Sequence, residues 1–384
     1  MDRVIYAFTH IDWGIGYIIT ILIFLILSCL EEFYKSKIFT YIFLLYLIIF
    51  SSTRDIVNSD MENYKQMYEN YKLLPLSEIE PGFIFLSWIF NHFTSSPYLL
   101  FSTYSLLNTL FVYFAIRNLT PYVKTSFFLF LTTPMLYLHT LIGIRQSLAE
   151  AILFFAISLL FKRKFFLFLF FGLLSVLFHY SALVVLIITI FTYIFMRNRI
   201  NIKFLYSILI ISLTIHFSSF DMPLLRITLS ISYPLLPEKY RLYANLLLTE
   251  GHTALKGFSI LTTLIFNILT VFVVYYSYIL LRKNQINENY IIILNLLVLG
   301  TVYINLFGKF SDVTARIFYY FIVYYTILLP YIIYKIHKNQ IERILVIYVL
   351  SVFMIIWFFS GVYKQIAPDE PPPLIYKNIL LKYF

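Results

Sequence analysis

Two arginines stand where apolar runs begin. Arg145 opens "IRQSLAEAI", and Arg316 lies in "FSDVTARIFYYF". An arginine at the centre of a membrane helix costs about 2.5 to 3.5 kcal/mol on insertion scales, so each needs a partner, water or an anion. The first turn of a helix leaves its N–H groups unpaired and carries about half a positive charge. An arginine beside it therefore strengthens an anion site, and two such places suit a diphosphate. A plainer reading stands beside this one: each arginine snorkels to the interface, or Arg316 pairs with Asp312 on the same helical face. Ser147, Ala149 and Ala151 follow Arg145 and let its helix approach a neighbour closely.

His179 sits near the middle of "KRKFFLFLFFGLLSVLFHYSALVVLIITIFTYIFMRNR", an apolar stretch between two basic clusters. Basic ends on one side of a membrane require a hairpin, which puts His179 at the turn between two short helices. An imidazole there can deprotonate a hydroxyl or donate to a phosphate oxygen; the alternative is a buried turn histidine bonded to a carbonyl. Glu150, one helical turn after Gln146, is either a proton-relay or substrate group or a packed, hydrogen-bonded carboxyl. His139 and His216 lie near span ends, while His10, His92, His252 and His337 lie in loops or termini. None has zincin spacing, and no metal site or cofactor is expected. Asp60 and Glu62 in "DME" could pair on a divalent ion, but such tripeptides are common in acidic loops. The single cysteine, Cys29, reads as packing in an apolar run.

The elements that must position these groups follow from composition. The chain has 384 residues, of which 61% are hydrophobic and 12% charged, a balance that excludes a water-facing globule. Aromatics reach 20%, with 41 Phe and 34 Tyr in unbroken apolar blocks, so helices are expected rather than alternating barrel strands. The fold class is an all-α polytopic integral membrane protein forming one domain over 1–384. Spans are placed at 13–30, 38–52, 97–117, 125–141, 146–161, 165–178, 181–196, 204–218, 258–281, 290–307, 315–335 and 343–360. Several fall short of the ~20 residues that cross a bilayer, so the expected count is about ten to twelve.

The formal charge of +10 lies in short loops between these runs, which makes it a topology signal rather than a nucleic-acid footprint. Loops around Lys35, Arg117 to Lys124, Lys162 to Lys164, Arg197 to Lys203, Arg282 to Lys283 and Lys335 to Arg343 share one face, read as cytoplasmic. The long loops 53–96 and 218–257 and both termini then face outward. The first carries Arg54, Asp55, Asp60, Glu62, Glu69, Glu78 and Glu80, then "PGFIFLSWIFNHF", which is too short to cross comfortably and reads as re-entrant or interfacial. The second reads as amphipathic segments at the outer surface. "MDRVIYAFTHIDW" lacks the basic start of a cleavable signal, so a retained first helix is expected, and "PDEPPP" reads as an extended tail.

Five pieces in order resemble the EpsG family of polysaccharide polymerases, itself similar to Wzy-type O-antigen polymerases. They are "DMENYKQMY", "EPGFIFLSWIF", "IRQSLAEAILFFA", "LLSVLFHYSALVVLI" and "ARIFYYF", spread over roughly residues 50–330. The R-Q-x-x-A and F-H-x-S-A pair is the most specific part. The resemblance implies a glycosyltransferase of the bacterial inner membrane. It would join oligosaccharide repeat units carried on undecaprenyl diphosphate at the periplasmic face. Carried over by position, it implies Arg145 and His179 as active-site residues and Arg316 as a second phosphate contact, with Asp60, Tyr64 and Glu80 as acceptor or sugar-binding candidates. The implied partners are the lipid-linked donor and acceptor, membrane lipid and a chain-length regulator protein, with no nucleic acid. Competing readings are a metal-dependent polyprenyl-phosphate-sugar glycosyltransferase using Asp60 and Glu62, a ligase moving finished polysaccharide to lipid A core, and a lipid-linked oligosaccharide flippase.

The topology carries a direct test. In a Cys29→Ala background, Asn70→Cys and Asn245→Cys should each react with an impermeant maleimide before the inner membrane is opened. Reaction only after permeabilisation would reverse the orientation.

Overall fold

The computed structural model describes residues 12–54, 59–75, 79–197, 201–218, 220–235, 241, 244–245 and 258–365. Among the described residues the regular elements are helices and no strand forms. A chain so poor in charge has to satisfy its backbone within each segment once it leaves water, and helices do this locally. Large apolar side chains such as Ile18, Leu22, Ile26, Leu45 and Ile356 remain on the outer surface, as lipid contact allows. The chain is an all-α polytopic membrane protein.

Among the described residues, seven helices are long and apolar enough to cross a membrane: Gly16–Tyr34, Tyr98–Leu119, Ile144–Phe161, Ile260–Arg282, Glu288–Phe307, Thr314–Ile336 and Gln340–Trp357. Two bent pairs raise the number to nine, Val123–Thr132 with Met135–Ile142 and Ile202–Phe217 with Met222–Ile231. The ten to twelve expected from sequence is reached only by adding the short apolar helices Ile38–Ser52, Phe165–Phe178 and Ser181–Phe195. At 1.5 Å per residue each of these spans roughly 22 Å, short of a ~30 Å hydrocarbon core. The expected span 125–141 is a broken one, bent by 79°. Thr133 leaves helical geometry at ψ 95°, and Pro134 brings no N–H to continue the ladder. The expected span 204–218 ends in a bend of 106° into the helix Asp221–Ser232. The rest of the second long loop is mostly outside the described residues, as are the first eleven residues and "PDEPPP".

The helix beginning at Ile144 is the axis of the bundle. Of its apolar window 83% is buried, against 17% for each of the spans Gly16–Tyr34 and Gln340–Trp357, which therefore lie at the edge. The hairpin Phe165–Phe178 and Ser181–Phe195 packs against this axis. Its arms meet where Gly172 faces Leu186: a Cβ there would come within 2.7 Å of the Leu186 side chain. Between the arms His179 takes extended backbone, as the sequence pattern requires.

Lipid offers no hydrophobic drive between helices, so polar seams and close packing hold them. Asn267 and Asn305 exchange side-chain amide bonds of 2.6 and 3.0 Å, and Asn305 also donates to Ser212 at 2.9 Å. Thr270 meets Thr301 at 2.7 Å and Tyr325 at 2.6 Å, and Ser277 meets Tyr290 at 2.8 Å. These groups are buried and define one face of Ile260–Arg282. Replacing Asn305 by Leu takes the donor from Asn267 Oδ1 and from Ser212 Oγ, leaving Asn267 only its bond to the Thr263 carbonyl and Ser212 only its bond to the Leu209 carbonyl. It should lower stability by about 1 to 3 kcal/mol in detergent unfolding, with the Asn267→Leu/Asn305→Leu pair less damaged than the sum of the two single changes. Additive losses would show that the seam is not one unit.

Candidate functional site

Arg145 lies in the first turn of Ile144–Phe161, after Gly143, and its side chain is buried. Its Nη1 donates to Glu80 Oε2. Glu80 precedes Pro81, at the N-cap of the eleven-residue helix Pro81–Asn91, yet its side chain makes no capping bond; the carboxylate turns to Arg145 instead. Both groups are sealed from water, with Glu80 2% exposed. A close approach makes this placement feasible. A Cβ on Gly82 would sit 2.7 Å from the Leu177 carbonyl, so only glycine lets the start of this helix lie against the end of the hairpin's first arm. That contact brings the carboxylate to His179.

His179 Nε2 stands 3.9 Å from Glu80 Oε1, beyond hydrogen-bond range. Its Nδ1 is 2.6 Å from Ser181 Oγ, which in turn is 3.1 Å from the Tyr320 hydroxyl. Glu80 thus lies between the guanidinium on one oxygen and the imidazole on the other.

Tyr64 forms the outer wall. It lies on Ser59–Glu69, a helix rooted by the Tyr68 hydroxyl bonding to the Thr94 carbonyl at 2.6 Å. The Arg145 guanidinium carbon is 5.4 Å from the Tyr64 ring centre and 5.6 Å from that of Phe83, within cation–π reach of both. Burial raises the Tyr64 phenol above its ordinary range. The Arg145 and Arg316 guanidiniums oppose that rise, and Asp60 adds to it. All three charged groups therefore lie within electrostatic reach of one hydroxyl. The Tyr104 ring lies 6.4 Å from that of Phe83, and its hydroxyl is within electrostatic reach of Arg145, Glu80 and Tyr64. This hydroxyl and Arg145 Nε are buried without a hydrogen-bond partner within the protein.

Arg316 lies in the first turn of the span Thr314–Ile336, as expected, but a capping box of Ser311 and Thr314 opens a short helix, Asp312–Arg316, one turn ahead of it. The N–H groups of that start therefore lie before Arg316, whereas Arg145 stands directly in the first turn of its helix. The Arg316 carbonyl accepts a 2.8 Å bond from Gln146, whose amide also donates to Glu150 at 2.8 Å. Glu150 in turn lies 3.5 Å from His139 Nε2.

Two groupings escaped the sequence reading. Glu80 and Arg145 are 65 residues apart, with no local signal to join them. His139 reaches Glu150 because the break after Thr132 folds the following short helices back onto the axis. Glu62 pairs with Lys65 at 3.3 Å, and among the described residues no group of three or more His, Cys, Asp or Glu side chains could hold a metal ion. Beside the site, the turn Tyr71–Leu73 and the helix Pro81–Asn91 border an open groove of about 350 Å³ lined in part by Tyr71, Lys72, Phe85 and Trp88.

A family model described as EpsG family matches residues 37–370. No curated protein and no solved structure matches the chain.

Removing one member of a buried ion pair strands the other and costs about 3 to 5 kcal/mol. Glu80→Ala should therefore destabilise the folded protein by that order in detergent unfolding, and Glu80→Ala/Arg145→Ala should recover part of the loss. A double variant as unstable as the sum of its singles would mean that the two groups do not sense each other.

Proposed function

The chain belongs to the EpsG family, and on that premise we propose that it is a glycosyltransferase polymerising oligosaccharide repeat units carried on undecaprenyl diphosphate, at the periplasmic face of the bacterial inner membrane. One observation carries the reading: the buried Arg145–Glu80 pair converges with His179 and Tyr64, and the Arg316 backbone is tied to the residue after Arg145 through Gln146.

The chemistry needs an electrophile activated through its leaving group and a nucleophile relieved of its proton. The anomeric C–O bond to the diphosphate breaks, and its electron pair stays on the diphosphate oxygen. The acceptor sugar hydroxyl forms the new C–O bond and gives its proton to a base. In this reading Arg145 and Arg316 stabilise the charge building on the departing diphosphate, which is worth far more in a water-poor cleft than in solution. Arg145 Nε and the Tyr104 hydroxyl supply further donors toward that oxygen.

Glu80 and His179 are the candidate bases. His179 is favoured because the carboxylate is already committed to Arg145, while its own Nδ1 contact with Ser181 orients the ring and leaves Nε2 toward the cluster. Asp60 near Tyr64, and the aromatic groove at Phe85 and Trp88, are the proposed contacts for acceptor sugars.

The test is the product ladder. Cells lacking the protein should keep a band for a single repeat unit and lose the longer ladder, and Arg145→Ala at normal abundance should reproduce that pattern. A full ladder in either case would sink the assignment. In a donor-plus-acceptor assay His179→Gln should lower turnover by about 10² to 10⁴ while donor binding changes far less. Wild-type turnover from that variant would move the base to Glu80.

A further inference from the structure

Gln146 follows Arg145 in the chain and takes no part in the chemistry above, yet it is 3% exposed and makes two well-formed bonds. One N–H goes to Glu150 one turn along its own helix. The other crosses to the Arg316 carbonyl, 170 residues away. A backbone carbonyl can only accept, so the amide must turn its NH₂ group toward it, and the orientation of the side chain is fixed by its partner. The carbonyl sits at the end of a five-residue helix, where intrahelical partners run out. Glu150 fixes the other N–H and so holds the amide at one rotamer, with His139 3.5 Å behind the carboxylate.

We propose that Gln146 is a positioning residue that sets the separation of the two cations, because its main chain adjoins Arg145 and its side chain grips the backbone of Arg316. A change in where the Arg316 segment rests would alter the spacing offered to a diphosphate. The carboxylate charge of Glu150 is not required by this arrangement; an oxygen acceptor at the same place is. The inference rests on the reading of Arg145 and Arg316 as diphosphate contacts.

The experiment measures kcat and KM for the undecaprenyl-diphosphate-linked repeat unit, as donor to a fixed acceptor, in the full-length protein at matched abundance. Gln146→Leu removes both donors and should raise the donor KM about five- to tenfold, the scale of one lost buried hydrogen bond, with a smaller change in kcat. Glu150→Gln keeps the acceptor oxygen and should stay within about twofold of wild type. Gln146→Leu/Arg316→Ala should be no worse than Arg316→Ala alone, because Gln146 acts through Arg316.

Multiplying effects in the double variant would overturn the inference, since a merely structural role for Gln146 would add to the loss of Arg316. So would an unchanged donor KM in Gln146→Leu, or a Glu150→Gln variant as impaired as Gln146→Leu. A wild-type donor KM in Arg316→Ala would overturn the diphosphate reading itself and is thereby told apart from failure of the strut.

Discussion

A guanidinium buried among helices in a lipid environment has to be neutralised by something the protein supplies, and here that is the carboxylate of Glu80. Their mutual attraction is strong only because both are withdrawn from water, and the same withdrawal makes each intolerable alone. Much of the nearby architecture can be read as the means of bringing them together. Gly82 lets the short helix after Glu80 press against the hairpin. Tyr64 and Phe83 close over the guanidinium with their ring faces, and the long central helix starts where Arg145 can reach outward from its first turn.

The breaks in the helices belong to the same logic. Continuous spans bury their own polar backbone and leave little for a ligand or a side chain to use. Interrupted ones free carbonyls and redirect side chains, and in membranes they are tolerated where protein covers them. The segment around Arg316 is divided into short pieces, and one freed carbonyl is taken by Gln146. The break after Thr132 returns His139 to the central helix. Elsewhere, in the Asn267, Thr270 and Asn305 seam, the helices run unbroken and the polar groups satisfy one another.

The sequence made the helical class, the hairpin centred on His179 and the place of Arg145 at a helix start legible, because each depends on local pattern: apolar run length, basic ends, a lone cation in an apolar context. It offered Glu80 as a sugar-binding candidate beside Asp60 and Tyr64 and gave no sign of its pairing with Arg145. What singles it out is a contact between distant segments, made possible by a glycine whose importance lies in the carbonyl it faces. The number of spans is less legible for a related reason. Apolar runs of 14 or 15 residues mark helices reliably, but whether such a helix crosses a bilayer depends on tilt and neighbours rather than on its own letters. Arg316 stands where the hydrophobic run begins, and the capping pair of Ser311 and Thr314 opens a short helix one turn ahead of it.

The order in which the chain is made gives the long separations another meaning. Glu80 is synthesised 65 residues ahead of Arg145, and the carbonyl that Gln146 grips comes 170 residues after it. A nascent chain therefore carries first an acid without its base, then a charged pair without the segment that completes its surroundings. The cluster exists only once nearly the whole protein has been inserted. An incomplete chain is thus chemically different from a finished one, since its acid and then its ion pair lie in the membrane before the segment that surrounds them has been made.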